Sequence, residues 1–189
     1  IWQYGRYDLY CVNPPLVRLI ASYPITVAGL EEDWCALRYD PINRPEFSRG
    51  LQLMQKHPER HRFFLRLGRW ACLPISLLGG YLCYKWVLHA VNQYAAFTAL
   101  SLWAFSPAML AHAGSISPDA LAASTGILAA YTFRNWLRRP RWGAVIPASV
   151  SLGLAELAKL TWVILFPLWI LIGLIWLGSQ SIQRKTDRK

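Results

Sequence analysis

The sequence predicts an all-α fold: a polytopic membrane helix bundle with an extracytoplasmic juxtamembrane segment. Residues 86–118 and residues 160–183 contain no Asp, Glu, Lys or Arg. About 20 mostly apolar residues are enough for a helix to cross a hydrocarbon core of ~30 Å. Hydrophobic residues also make up 54% of the chain, more than is usual in soluble domains. We therefore expect an integral, multi-pass protein of the inner (plasma) membrane.

The more polar residues 1–66 are predicted to form an extracytoplasmic loop with an interfacial helix over residues 14–30. Two prolines suit the start of this helix, and its apolar residues recur at helical spacing. These residues are Leu16, Leu19, Ile20, Tyr23 and Val27. The helix is short and contains Pro24, so we expect it to lie along the membrane rather than cross it. Residues 31–50, with prolines and mixed charge, are predicted as loop, and residues 60–69 as a basic lead-in to the first span.

Residues 67–180 are predicted to contain five membrane helices. Their expected bounds are 67–88, 92–111, 119–137, 142–157 and 160–177. Gly79 and Gly80 in the first helix predict a point of close helix packing. The fourth helix is short and a tight turn joins it to the fifth, which is compatible with a hairpin that does not fully span. Residues 181–189 are predicted as a cytoplasmic loop or tail.

Basic residues near the predicted helix ends indicate the orientation, because short cytoplasmic loops are rich in Lys and Arg. The residues on this side are Lys85, Arg134, Arg138, Arg139, Arg141, Arg184, Lys185, Arg188 and Lys189. Residues 1–66 and the turns at 114–119 and 156–159 then face the opposite side. Asp119, Glu156 and Lys159 thus converge on the outer face. Ionisable residues at membrane depth are costly and commonly mark functional sites.

Composition also argues against other classes of function. The net charge of +10 does not predict nucleic-acid binding, because the basic residues bracket apolar runs instead of forming one stripe. Four cysteines show no CxxC pattern, so neither a zinc site nor a redox motif is indicated. Cys72 and Cys83 are predicted to be small buried residues of an apolar helix. Whether Cys11 and Cys35 form a disulfide remains open. Binding of a divalent cation also remains open, although no metal-binding motif is present, and the cofactor is unknown.

Three segments carry a resemblance to a known family. They are Asn-Pro-Pro-Leu-Val-Arg at 13–18, residues 105–119 ending in Ser-Pro-Asp, and Leu-Ala-Glu-Leu-Ala-Lys-Leu-Thr at 154–161. In order and spacing these segments resemble motifs of the polyprenyl-phosphate-sugar-dependent glycosyltransferases of the GT-C superfamily. That superfamily includes protein O-mannosyltransferases and aminoarabinose transferases.

The resemblance implies inverting transfer of a sugar from a polyprenyl-phosphate donor to an extracytoplasmic acceptor, which is a protein, a lipid or a glycan. The implied donor- and substrate-binding residues are Arg18, His112, Asp119, Glu156 and Lys159. The implied structural motif is Asn13, Pro14, Pro15 and Leu16. The general base of such enzymes, an Asp often followed by Glu, is expected upstream of Ile1. Since the chain does not begin with Met, we interpret it as an internal fragment.

Each of these residues also has a purely structural interpretation. Arg18 can snorkel from an interfacial helix, and Asp119 can stabilise the start of its helix. Glu156 and Lys159, spaced i, i+3, can form a pair that lowers the cost of insertion. His112 can be an ordinary interfacial histidine. The alternative functions are therefore a non-catalytic membrane scaffold, a transporter segment or an inactive transferase paralogue, although the repeated broken helices of transporters are not seen.

Overall fold

The computed structural model describes Trp2, Gly5, Tyr7 and residues 13–30 and 45–186. All regular secondary structure in this part of the chain is helical, which confirms the all-α prediction. In chain order the elements are α1 (Leu16–Val27), α2 (Pro45–Lys56), α3 (His61–Ala90), α4 (Gln93–Phe105), α5 (Pro107–His112), α6 (Pro118–Arg138), α7 (Trp142–Ala158), a 3-10 helix (Leu160–Ile164) and α8 (Leu165–Thr186).

Two helical stretches are long and apolar enough to cross a membrane. They are His61–Ala90, which is α3, and Leu160–Gln180, which comprises the 3-10 helix and most of α8. The helices α1 and α7 are apolar but shorter. The described residues thus form a membrane helical bundle, while the division into five separate spans remains a prediction.

Helix α6 lies at the centre of the bundle, where it contacts α3, α5, α7 and α8. Its buried face consists mainly of small side chains, which let neighbouring helices approach closely. These residues are Ala120, Ala122, Ser124, Thr125, Gly126 and Ala129. Opposite them, a Cβ added at Gly79 would overlap Ser124 and Trp103, and one added at Gly80 would meet Trp103. The predicted packing point at these two glycines is confirmed.

The short helix α1 packs against α3. Val17 and Ala21 of α1 form a buried apolar cluster with Cys72 of α3 and Leu121 of α6. Cys72 is fully buried, as predicted, whereas Cys83 is only half-buried.

The turn that precedes α6 lies against the first half of α3, because a Cβ at Gly68 would meet the side chain of Ile116 at 2.8 Å. Gly68 also lies close to Ala21 and Ile25 of α1. Helix α1, this part of α3 and the turn before α6 therefore lie at one end of the bundle.

Helix α1 ends three residues before the predicted bound. Gly29 has a φ of 78°, a left-handed conformation that glycine adopts without strain. Its N–H donates to Thr26 O at 3.0 Å, and Leu30 N–H donates to Ile25 O at 3.4 Å. This pair of bonds is the Schellman arrangement that closes a helix C-terminus.

The prediction of a loop over residues 31–50 is wrong at its end, because α2 begins at Pro45. Proline is well suited to a first helical turn. The apolar residues Phe47, Leu51 and Met54 follow at helical spacing. Residues 31–44 lie outside the described part of the chain. The expected basic lead-in is itself helical, since α3 begins at His61.

The second predicted span is broken, not continuous. Helix α4 ends at Phe105, Ser106 is extended (φ −60°, ψ 127°), and α5 starts at Pro107. A proline disfavours the helical conformation of the residue before it, which accounts for the break.

The C-terminal prediction also needs correction, because α8 continues to Thr186 and the expected loop or tail begins as helix. Residues 187–189 lie outside the described part of the chain. The same is true of Cys11 and Cys35, so the disulfide between them remains a prediction.

Candidate functional site

An ion pair joins the first turn of α6 to the end of α7. Lys159 Nζ donates to Asp119 Oδ1 at 2.9 Å. The Lys159 side chain is 36% exposed and that of Asp119 is 44% exposed, so the pair is accessible from outside the bundle. Two of the predicted site residues, 40 positions apart in sequence, are therefore in direct contact.

Ser117 holds the second oxygen of the Asp119 carboxylate. Its hydroxyl donates to Asp119 Oδ2 at 2.8 Å and accepts from the Asp119 N–H at 3.3 Å. Ser117 is the N-cap of α6, and Pro118 is its first residue. Ser117 was not among the site residues predicted from the sequence. The signal was present, since serine followed by proline is a common pattern at a helix start.

His112 lies near the same oxygen of the Asp119 carboxylate that Ser117 holds, whereas Lys159 lies at the other oxygen. The His112 Nδ1 is 3.8 Å from Asp119 Oδ2, which is too long for a hydrogen bond, and the His112 side chain is 44% exposed. The turn between His112 and α6 is fixed by Ser115, whose N–H and hydroxyl donate to His112 O at 3.1 and 2.9 Å. The site thus contains a row of an imidazole, a carboxylate and an ammonium group.

The interpretation of Glu156 and Lys159 as an i, i+3 pair is wrong. Helix α7 ends at Ala158, and Lys159 has an extended backbone (φ −158°, ψ 125°). Lys159 is therefore outside the regular helix, and its ammonium group turns to Asp119 instead. Glu156 Oε1 is buried and has no hydrogen-bond partner among the described residues.

The Asn-Pro-Pro-Leu-Val-Arg segment forms the start of α1. Pro15 is the N-cap, its carbonyl accepts from the Leu19 N–H at 2.9 Å, and Leu16 begins the helix. Arg18 Nη2 donates to Asn13 O at 3.3 Å, so the arginine stabilises the backbone of its own motif. Helix α1 packs on α3 and also contacts α7, which places the motif on a helix next to the one that leads to Lys159.

Within the described ranges, no group of three or more His, Cys, Asp or Glu side chains is arranged to hold a metal ion. The site residues found there are instead groups that bind anions and hydroxyls: an ammonium, an imidazole, a carboxylate and a serine hydroxyl.

Comparison with known protein families gives a match that covers most of the chain. Residues 46–186 match the family dolichyl-phosphate-mannose-protein mannosyltransferase. The matched range runs from α2 through α8 and contains His112, Asp119, Glu156 and Lys159, whereas α1 with Arg18 precedes it. Neither a curated protein nor a solved structure matches the chain.

Proposed function

The chain belongs to the dolichyl-phosphate-mannose-protein mannosyltransferase family, and we propose that it transfers mannose from a polyprenyl-phosphate donor to an extracytoplasmic protein hydroxyl. The family consists of membrane glycosyltransferases, and the helical bundle agrees with that membership. The observation that carries the proposal is the accessible ion pair between Asp119 and Lys159.

The chemistry of the transfer explains why an ammonium group belongs at this position. The acceptor oxygen attacks C1 of the mannose, the bond from C1 to the phosphate oxygen breaks, and the acceptor proton passes to a base. The lipid phosphate leaves with the bonding electrons and gains negative charge, which a positioned cation stabilises. An ammonium group has three N–H donors, and Asp119 accepts from one of them. We assign Lys159 to the phosphate and Asp119 to the positioning of Lys159.

The other predicted residues complete the proposed site. His112 lies beside Asp119, and Glu156 lies in the last turn of α7 just before Lys159, so we assign both to the sugar or the acceptor. Arg18 is proposed as a second cation for the phosphate. Because Asp119 already accepts from Lys159 and Ser117, we do not assign it the role of general base.

We further propose that this end of the bundle faces the extracytoplasmic side. The contact of Ile116 with Gly68 and the Asp119–Lys159 bond support a common end for the charged residues. At the opposite end, the Arg134 guanidinium carbon lies 5.8 Å from the centroid of the Trp86 ring. Lys85 directly precedes Trp86 in the sequence. Basic residues at that end favour the cytoplasmic side.

The proposal is tested by comparing Lys159→Ala with Arg139→Ala in the membrane-embedded enzyme. Loss of one electrostatic donor to a transition state commonly costs about 100-fold in turnover, and we expect that loss for Lys159→Ala. Arg139 follows α6 at the opposite end and is exposed, so we expect less than about a twofold change from it. The measurement is transfer of labelled mannose from dolichyl-phosphate mannose to an acceptor peptide. Equal effects of the two substitutions would contradict the assignment of Lys159.

A further inference from the structure

Trp162, in the 3-10 helix, forms a link to α6 in addition to the Asp119–Lys159 ion pair. This second link lies one turn further along α6. The Trp162 indole Nε1 donates to Ala122 O at 3.0 Å. Ala122 lies three residues after Asp119, and Trp162 lies three residues after Lys159, so the two links have the same register. Asp119 and Ala122 are three apart in α6 and share one face of that helix, so the two links lie next to each other.

The indole ring of Trp162 fits against α6 because Gly126 has no side chain. A Cβ at Gly126 would overlap three atoms of the six-membered ring, Cζ2, Cη2 and Cε2. Gly126 is buried, and Trp162 packs with the apolar cluster of Ala129, Ala155 and Leu165. The ring is thus held both by a hydrogen bond and by close packing.

The backbone connects this link directly to the ammonium group. The Trp162 N–H donates to Lys159 O at 3.1 Å, the bond that begins the 3-10 helix. Such helices have poorer hydrogen-bond geometry than α-helices and need support from their surroundings. The lysine side chain is itself a flexible stem with freely rotating donors. Its position depends on the backbone turn, and the indole fixes that turn on α6.

We propose that Trp162 is a positioning residue that keeps the Lys159 ammonium group at Asp119 and directed to the lipid phosphate of the donor. This inference rests on the proposed function, because it assumes that Lys159 binds the phosphate. Trp162 acts through Lys159 and does not itself contact the donor.

Trp103 provides a matched control. Its indole Nε1 donates to Ser76 O at 3.2 Å, and its ring packs on Gly79 and Gly80, just as that of Trp162 packs on Gly126. Trp103 lies in α4 and links it to α3, remote in sequence from Lys159. Replacement by phenylalanine removes the same N–H and the same part of the ring at both positions.

The experiment measures the Kd for dolichyl phosphate of the detergent-solubilised protein, which requires no catalytic turnover. We expect Trp162→Phe to raise the Kd about tenfold and Trp103→Phe to change it less than about twofold. Lys159→Ala is expected to raise the Kd at least as much as Trp162→Phe. The double variant Lys159→Ala/Trp162→Phe is expected to bind no more weakly than Lys159→Ala alone, since residues that act through one group are not additive.

Equal Kd values for Trp162→Phe and Trp103→Phe would overturn the inference, and so would a further loss in the double variant. If Lys159→Ala leaves the Kd unchanged, the assignment of Lys159 to the phosphate in the proposed function fails, whatever Trp162→Phe does. If Lys159→Ala weakens binding and Trp162→Phe does not, only the positioning role fails.

Gly126→Ala keeps the indole N–H but displaces the ring, and it serves as the second variant should Trp162→Phe not fold. It too is expected to raise the Kd about tenfold, and an unchanged value would overturn the inference.

Discussion

Helices α6 and α7 are joined by polar side chains at two levels, but the two links differ in kind. At the site the link is the Asp119–Lys159 ion pair, which is partly exposed. Between the second half of α6 and the middle of α7, Thr132 Oγ1 lies 2.6 Å from Ser151 Oγ, and Ser151 is only 2% exposed. One link places two charges in a partly exposed position, and the other joins two neutral hydroxyls, one of them on a buried serine.

Neither hydroxyl of the Thr132–Ser151 link depends on the other for a hydrogen-bond partner. Thr132 Oγ1 also lies 2.8 Å from Leu128 O, and Ser151 Oγ lies 2.7 Å from Pro147 O, each within its own helix. Each hydroxyl therefore keeps a partner when the other is removed. Small hydroxyl residues are sufficient to hold two membrane helices together. A charged link costs more than a neutral one at membrane depth, which is why we propose a chemical role for Asp119 and Lys159.

The largest effect should come from exchanging the two charges, Asp119→Lys combined with Lys159→Asp. The exchange preserves an ion pair but moves the ammonium group from the bend after α7 to the start of α6. Because the donor phosphate would then face a carboxylate, we expect turnover to fall about 100-fold or more. Stability should fall by about 1 kcal/mol, because each exchanged charge would oppose the dipole of its own helix. Mannose transfer and denaturant unfolding of the same preparation measure both effects.

The exchange also tests most directly whether the Asp119–Lys159 link differs in function from the Thr132–Ser151 link. If the exchanged protein kept a third or more of its turnover, the ion pair would be a structural link like that of Thr132 and Ser151. The single variant Asp119→Asn serves as its control, because it removes the pair while leaving the ammonium group in place.

A smaller effect is expected from Ser117→Ala. The substitution removes the N-cap of α6 and one of the hydrogen bonds to Asp119, which should reduce stability by about 1 kcal/mol and turnover by about fivefold. Ser115→Ala is the matched control, since its backbone N–H still donates to His112 O. Thermal unfolding and mannose transfer distinguish the two variants. Identical results for both would show that the Ser117 hydroxyl contributes nothing specific to the carboxylate.

The smallest effect is expected at the Thr132–Ser151 link, from Ser151→Ala. Hydrogen bonds between membrane helices contribute about 0.6 kcal/mol on average, and we expect a loss of that size in stability. Turnover should remain within about twofold of the original. Ser124→Ala, which removes a hydroxyl bonded within its own helix, is the control. A drop in turnover with Ser151→Ala comparable to that of the charge exchange would show that both links serve the reaction.

The order of the helices could be predicted because charge-free runs and basic loops mark where membrane helices begin and end. Helix α2 was missed because its region was judged by its prolines and mixed charge. Pro45 in fact starts the helix, and the spacing of Phe47, Leu51 and Met54 was the available signal. The break at Ser106 was also readable, since Pro107 follows it directly.

The site was predicted in part. Asp119, His112 and Lys159 were identified from motifs, and the structure brings them together. The wrong partner was expected for Lys159 because i, i+3 spacing implies contact only when both residues lie in one helix, and α7 ends at Ala158. The contact of Trp162 with Gly126 depends on how α6 packs beside the 3-10 helix, which local sequence does not reveal.

Asp119 and Lys159 also sit at helix ends of opposite polarity. Asp119 lies in the first turn of α6, where the macrodipole is positive, and Lys159 directly follows the negative C-terminus of α7. Each charge is therefore favoured by its own helix, by roughly 0.3–1 kcal/mol in exposed positions, even without the other charge. The coupling free energy between the two residues is consequently smaller than the total electrostatic stabilisation that either receives. The helix dipoles therefore favour both charges at their positions before any phosphate binds.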